Sequence, residues 1–210
     1  EILINFVKEH ASCPVLVSGR GNNFLFVDEK ADWEKAKEVI MNAKTDKISA
    51  CNALDKILIH SSLPNLEERL KELVAELEKA DVKLLADGQV TGMVNHLDQI
   101  TDEDIWYQEF LELKAVIGTV ENLSDAIEMI NQYSGGHSSS IITEDSLAAG
   151  AFMQQVDSGA VYHNASTRFT DGGEMGVGAE LAISTDKLHH RGPLGLEQLV
   201  TNKYYVYGNG

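Results

Sequence analysis

Apolar residues recur along the chain in two rhythms. Short β-branched and aromatic-rich runs at Pro14–Val17, Phe24–Val27, Ile57–His60, Val82–Ala86, Leu113–Ile117, Ser140–Thr143 and Gly159–His163 read as strands. Between them the spacing becomes helical. Leu66, Leu70, Leu73, Val74 and Leu77 share one face, with Asn65 placed to cap the helix and Glu68 placed to close a capping box. Trp33, Ala36, Ile40 and Ala43 do the same after Asp32. Two more helices are expected after Ser124 (Ala126, Ile127, Ile130) and after Asp145 (Leu147, Ala148, Ala151, Phe152). Strands alternating with helices predict an α/β fold, a mostly parallel sheet flanked by helices.

The rhythm breaks near residue 163. Residues 164–198 are polar and glycine-rich, with Gly172, Gly173, Gly176, Gly178, Gly192 and Gly195, and a loop of this extent inside a compact chain usually carries function. The segment Lys203–Tyr207 is strand-like with three aromatic rings, an edge strand suited to a partner. No internal repeat or low-complexity tract is visible.

Composition narrows the field. With 210 residues, 43% hydrophobic and 24% charged, the chain can bury a substantial core. No apolar run approaches the ~20 residues of a membrane span, and the first residues lack the pattern of a signal peptide, so no membrane partner and a cytoplasmic location are expected. The net charge of −16 repels phosphate backbones and argues against nucleic acid. That charge is uneven, −15 over residues 1–158 and −1 over residues 159–210. Solubility is the plainer reading of the acidic part; a near-neutral tail facing an anionic ligand is the sharper one.

The chemistry visible by residue type is sparse. Cys13 and Cys51 form no CxxC pair, and a lone cysteine is more often a small buried hydrophobe than a nucleophile. Cys13, directly before Pro14, fits that description. Cys51 fits it less well, because it lies in a polar stretch with Lys44 and Lys47, and neighbouring cations favour the reactive thiolate. The seven histidines show no HExxH and no Cys/His ligand spacing, so no metal site is expected. GxGxxG after a strand, Walker A and GxSxG are all missing.

Three longer segments say more. Val161–Glu180 (VYHNASTRFTDGGEMGVGAE), Ile183–Glu197 (ISTDKLHHRGPLGLE) and Asn42–Thr45 followed by Ala50–Leu54 (ACNAL) resemble the gamma-glutamyl phosphate reductases, also called glutamate-5-semialdehyde dehydrogenases, within the aldehyde dehydrogenase superfamily. The resemblance runs from Pro14 through Tyr133–His137 (YSGGH) to Thr201–Lys203. Members of that family are roughly twice as long, and this chain looks like their second half.

The resemblance implies an aldehyde dehydrogenase-like catalytic domain over 22–198, the end of a cofactor-binding domain over 1–21, and an oligomerisation strand over 199–210. It implies NADPH-dependent reduction of L-glutamyl 5-phosphate to the semialdehyde in proline biosynthesis, with Cys51 as nucleophile forming a thioester. Glu109 would hold the nicotinamide ribose. Arg168 would bind a substrate phosphate or carboxylate, with Asn164, Ser166, Thr167, His137 and His189 beside it. Matching Asn23–Asp28 to the family puts Leu16 or Val17 where oxidative relatives carry a general-base glutamate, a change that spares a thioester from hydrolysis. Asp46–Ser49 departs from the family, keeping one basic residue, Lys47, and His190 stands where a small residue is commoner. A homodimer or homotetramer and association with glutamate 5-kinase are implied as well, together with inactivity of these residues alone. Another aldehyde dehydrogenase subfamily and a non-catalytic dimerising module are the competing readings.

Overall fold

A computed structural model describes residues 2–178 and 180–210 of the chain. Its elements are α1 (Ile2–His10), β1 (Asn23–Val27), α2 (Trp33–Thr45), β2 (Leu54–His60), α3 (Leu66–Lys79), β3 (Lys83–Ala86), α4 (Gly88–Met93), β4 (Asp98–Gln99), β5 (Lys114–Val120), α5 (Leu123–Tyr133), β6 (Ser138–Ile142), α6 (Ser146–Gln155), β7 (Ala160–His163), β8 (Ala182–Ser184) and β9 (Gly192–Leu194). Seven strands form one sheet in the order β4-β3-β5-β2-β1-β6-β7, every pair parallel, while β8 and β9 make a small antiparallel pair.

Both faces of the sheet are covered, which is why β1 and β2 are wholly buried and why Phe24–Val27 and Ile57–Ile59 read as continuous apolar runs rather than alternating ones. The period of two divides β1 between the faces. Leu25 and Val27 pack with Ile40, Leu70 and Leu73 from α2 and α3, and Phe24 and Phe26 pack with Ile127, Ile130 and Phe152 from α5 and α6. Among the described residues no helix is long and apolar enough to cross a membrane, and no group of three or more His, Cys, Asp or Glu is placed to hold a metal.

Several expectations need correction. Asn65 adopts a left-handed backbone (φ 56°) and its side chain makes no capping bond, so the capping box with Glu68 does not form. Asn122, not Ser124, caps α5, with its side chain accepting from the Asp125 N–H. α6 starts after Asp145 as expected, but its buried positions are Ala149 and Phe152, and Leu147, in the first turn, is exposed. Pro14–Val17 is not a strand. Lys203–Tyr207 forms no ladder with the described residues of this chain, and Tyr204, Val206 and Tyr207 are almost fully exposed.

Candidate active site

The segments that precede β1, β2, β5 and β6 meet at the amino edge of the sheet, and Cys51 lies in the turn that feeds the central strand β2. Open α/β sheets usually bind ligands at the other edge. Two adjacent asparagines assemble this one. Asn23, fully buried, donates from Nδ2 to the carbonyls of Gly21 (2.7 Å), Cys51 (2.8 Å) and Ala53 (2.7 Å), and its Oδ1 accepts from the Ser138 N–H at 3.0 Å. Asn22 donates to the carbonyls of Trp106 (2.6 Å) and Tyr133 (2.9 Å). The backbones touch closely: a Cβ on Gly21 would lie 2.0 Å from the Cys51 carbonyl oxygen, and one on Gly135 would lie 1.9 Å from that of Arg20. Only glycine permits these approaches.

Residues 166–170 reach the same edge by a reversal. Asn164 follows β7 in a left-handed conformation (φ 54°). Its Oδ1 accepts from the Thr143 N–H and its Nδ2 donates to the Thr143 carbonyl, both at 3.0 Å. The chain then runs back past Ser140, whose Oγ donates to the Ala165 carbonyl, toward Cys51. There Thr167 Oγ1 donates to the Asn52 carbonyl at 2.8 Å, and Asn52 Nδ2 donates to the carbonyls of Thr170 (2.9 Å) and Arg168 (3.2 Å). Asn52 Oδ1 is buried without a hydrogen-bond partner among the described residues.

The electrostatics of Cys51 differ from the expected cationic setting. The half-buried thiol is pushed up by burial first, then by the carboxylates of Glu180 and Glu109; a bond from its own backbone and the charge of Arg168 oppose this. Arg168, not Lys47, is the cation that acts on Cys51. Lys47 is exposed and lines, with Arg168, Ser166, Asp46 and Asp171, an open cavity of about 340 Å³. Arg168 reaches across its wall to Asp46, with Nε 3.4 Å from Oδ2. A second cavity of about 520 Å³ is lined by Val17, Gly19, Arg20, Glu109 and Gly135. Glu109 is half buried at its wall, and burial raises its carboxyl, with Asp55 adding to the rise and the Gly21 N–H, Arg20 and Lys56 resisting it.

The residues singled out from sequence therefore separate. Cys51, Glu109, Ser166, Thr167 and Arg168 gather at one edge, with Thr167 fully buried as a stitch and Ser166 capping the short 3-10 turn Thr167–Phe169. Asn164 sits at the opposite edge, its amide engaged with Thr143 and Glu144. His137 is fully buried. Its Nδ1 meets Ser138 Oγ at 2.7 Å, its Nε2 has no partner among the described residues, and burial pulls the imidazole down to about 4. His189 is exposed in the excursion between β8 and β9, with φ 71°. Asn22, Asn23 and the fully buried Lys56 were not singled out from sequence. The signal available was two adjacent asparagines opening an otherwise apolar strand.

Comparison with known proteins places this geometry. Residues 98–179 match the model of the Aldehyde dehydrogenase family. A gamma-glutamyl phosphate reductase from Clostridium botulinum (strain Eklund 17B / Type B) is 45% identical over 208 residues, 99% of this chain and 50% of the relative. One from Thermotoga sp. (strain RQ2) is 46% identical over 99% of this chain and 49% of the relative. The crystal structure of the Thermotoga maritima gamma-glutamyl phosphate reductase superposes with a TM-score of 0.90 at 45% identity, over 98% of this chain and 50% of that one. An acetylating aldehyde dehydrogenase from Geobacillus thermoglucosidasius shares the fold at 18% identity, with a TM-score of 0.69 over 99% of this chain and 56% of that one. The chain thus has an aldehyde dehydrogenase-like fold, resembles gamma-glutamyl phosphate reductases over nearly its whole length, and spans about half the length of the curated relatives it matches.

Proposed function

We propose that these residues supply the nucleophile and substrate side of an NADPH-dependent reduction of L-glutamyl 5-phosphate to L-glutamate 5-semialdehyde, a step of proline biosynthesis. The observation that carries the reading is the meeting of Cys51, Arg168 and Glu109 at one edge, in a chain 45% identical to gamma-glutamyl phosphate reductases. Cys51 Sγ attacks the γ-carbonyl carbon, the C–S bond forms, the C–O bond to phosphate breaks, and phosphate departs with that electron pair. The proton on Sγ is released to solvent, and the charge of Arg168 favours the resulting thiolate against burial and the carboxylates of Glu180 and Glu109. Arg168 holds an anionic group of the substrate by charge and hydrogen bonds, and Ser166 on the same wall adds a neutral contact. Thr167 and Asn164 act indirectly, by fastening and reversing the loop that carries Arg168.

A nicotinamide cofactor fits part of what is present. Glu109, an ionisable acceptor at the wall of the 520 Å³ cavity, suits the ribose hydroxyls, and apolar Val17 on that wall offers no base to a water molecule. No glycine-rich diphosphate cradle accompanies them among the described residues. When bound, the cofactor supplies hydride to the acyl carbon. Residues 22–198 are the proposed catalytic unit, 1–21 the end of the cofactor-binding unit and 199–210 the oligomer contact, which suits the exposed rings of Tyr204, Tyr205 and Tyr207 and a homodimer or homotetramer. A labile acyl phosphate also favours direct supply by glutamate 5-kinase. A cytoplasmic setting accords with that pathway.

The test is acylation. With L-glutamyl 5-phosphate generated in place by glutamate 5-kinase and ATP, mass spectrometry should find a hydroxylamine-sensitive acyl group on Cys51 and none in Cys51→Ala. Turnover by these residues alone is not expected, because the groups that would set the cofactor within about 3–3.5 Å of the acyl carbon are incomplete. If a protein of the relatives' full length also shows neither the adduct nor reduction, the reading is wrong.

A further inference from the structure

Glu109 is held on both sides by two consecutive residues of β2. The register of β2 against β1 slips there: Asn23 faces Leu54 but Phe24 faces Lys56, leaving Asp55 as the extra residue of a bulge in a parallel pair. Asp55 Oδ2 accepts from the Phe110 N–H at 3.0 Å, just after Glu109. Lys56 Nζ donates to the Gln108 carbonyl at 2.6 Å, just before Glu109, and to Asn22 Oδ1 at 2.7 Å. Its ammonium also lies 4.0 Å from the centre of the Phe110 ring. Both side chains are buried, and the other Asp55 oxygen is taken by the fully buried Lys44 at 3.1 Å. The same Asn22 fastens the Trp106 carbonyl, three residues before Glu109.

We infer that Asp55 and Lys56 are positioning residues that bracket Gln108–Phe110 and so hold the Glu109 carboxylate against the Cys51 turn. A buried lysine in the central strand of a sheet is costly, and a strand needs no such residue for its own stability. Burial pulls Lys56 down to about 7; Asp55 and Glu109 raise it, and Lys44 and Lys114 lower it further. Its two hydrogen-bond acceptors match the two protons of a neutral amine, so the bracket persists above neutrality. Because the nucleophile lies just upstream of β2, one short stretch of chain sets both the thiol and the carboxylate beside it. The purpose of that coupling, a cofactor-facing Glu109, rests on the reductase reading. The geometry itself does not.

The experiment is a double-mutant cycle read at Cys51 in this chain: iodoacetamide alkylation rate against pH, resolved from Cys13 by peptide mapping. The groups facing Cys51 are Glu180, Glu109 and Arg168. Glu109→Gln should lower the inflection by about half a pH unit, roughly a threefold faster reaction below it. Lys56→Met should move it in the same direction, because Glu109 is released, and should add nothing on top of Glu109→Gln. If Lys56→Met does not fold, Lys56→Gln, with a shorter donor that cannot span both acceptors, is read in the same way. A Lys56 variant that overlays the parent profile, shifts that add in the double variant, or no response to Glu109→Gln would each overturn the bracket. The assay uses neither substrate nor cofactor, so a missing acyl adduct would reject the reductase reading alone.

Discussion

Replacing Asn23 with alanine is the sharpest test of how the cysteine turn is held. The side chain is fully buried and makes four contacts of 2.7, 2.8, 2.7 and 3.0 Å, three to carbonyls and one from the Ser138 N–H. Its two amide protons serve three carbonyls, so the equivalent of about three full hydrogen bonds is lost, at about 1 kcal/mol each. The Ser138 donor left buried without an acceptor adds about 1 kcal/mol. The Cys51 carbonyl lies in a half-buried turn where water can replace the lost donor, so it adds little. The sum is about 4 kcal/mol, a large share of the roughly 5–15 kcal/mol that holds a domain together, and at this chain length it corresponds to a fall in melting temperature of roughly 8–16 °C. Urea unfolding should show a lower midpoint at unchanged slope, and alkylation of Cys51 in the native state should quicken as its turn loosens. A loss under about 1 kcal/mol, or a Cys51 no more reactive than in the parent, would mean that the asparagine does not hold the turn.

Three further expectations use other parts of the structure. Alkylation of Cys51 should rise through an inflection above the ordinary thiol value; Arg168→Gln, which removes the opposing cation, should move it higher and Glu180→Gln should move it lower, as mass-spectrometric rates across pH will show. His137, neutral in the fold and pulled down to about 4 from 6.5, binds a proton in the unfolded chain sooner than in the folded one. Its contribution is therefore complete above about pH 6.5 and is lost as the pH falls toward 4, up to about 3 kcal/mol, and His137→Phe should remove that part of the acid sensitivity in urea titrations. Gly150 sits in α6 with nothing within 4 Å of the place a methyl group would take, so Gly150→Ala should stabilise by about 0.5–1 kcal/mol, whereas Gly21→Ala, facing the Cys51 carbonyl at 2.0 Å, should lose far more in calorimetry.

The layers of the fold were legible because burial on two faces leaves a local trace. The runs at Phe24–Val27 and Ile57–His60 became β1 and β2, and Asp32 and Asp145 cap the helices that follow them. Asn65 misled because its side chain is a good cap only in an extended backbone, and here a left-handed turn points it away. The reactive-thiol environment misled for a different reason. Lys47 is near Cys51 in sequence, but it lies in a left-handed turn (φ 52°) and projects to the surface, while Arg168, more than a hundred residues away, is returned to the cysteine by the Asn164 reversal. Asn164, a hydrogen-bonding residue beside Arg168 in the sequence, spends its amide on Thr143. Its visible work is to make that reversal, a role that depends on backbone conformation and so leaves no periodic signal.

The use of the amino edge has an electrostatic logic. At the carboxyl edge β1, β2, β3, β5 and β6 each lead into a helix whose positive N-terminus would suit an anion. Four of those sites are plugged from within: Asp32 on α2, Asp87 on α4, Asn122 on α5 and Asp145 on α6 each accept from first-turn N–H groups of their own helix, while α3 after Asn65 carries no side-chain cap. At the amino edge the nearby end of α2 is its C-terminus, whose dipole repels a thiolate. A thiolate at Cys51 is thus left without help from α2, and two carboxylates make the setting harder still. The cation that opposes this is Arg168, carried in by a loop stitched to Asn52. Residues 164–170 spend several hydrogen bonds on returning to the edge from which β7 set out, and loss of Arg168 should weaken thiol ionisation.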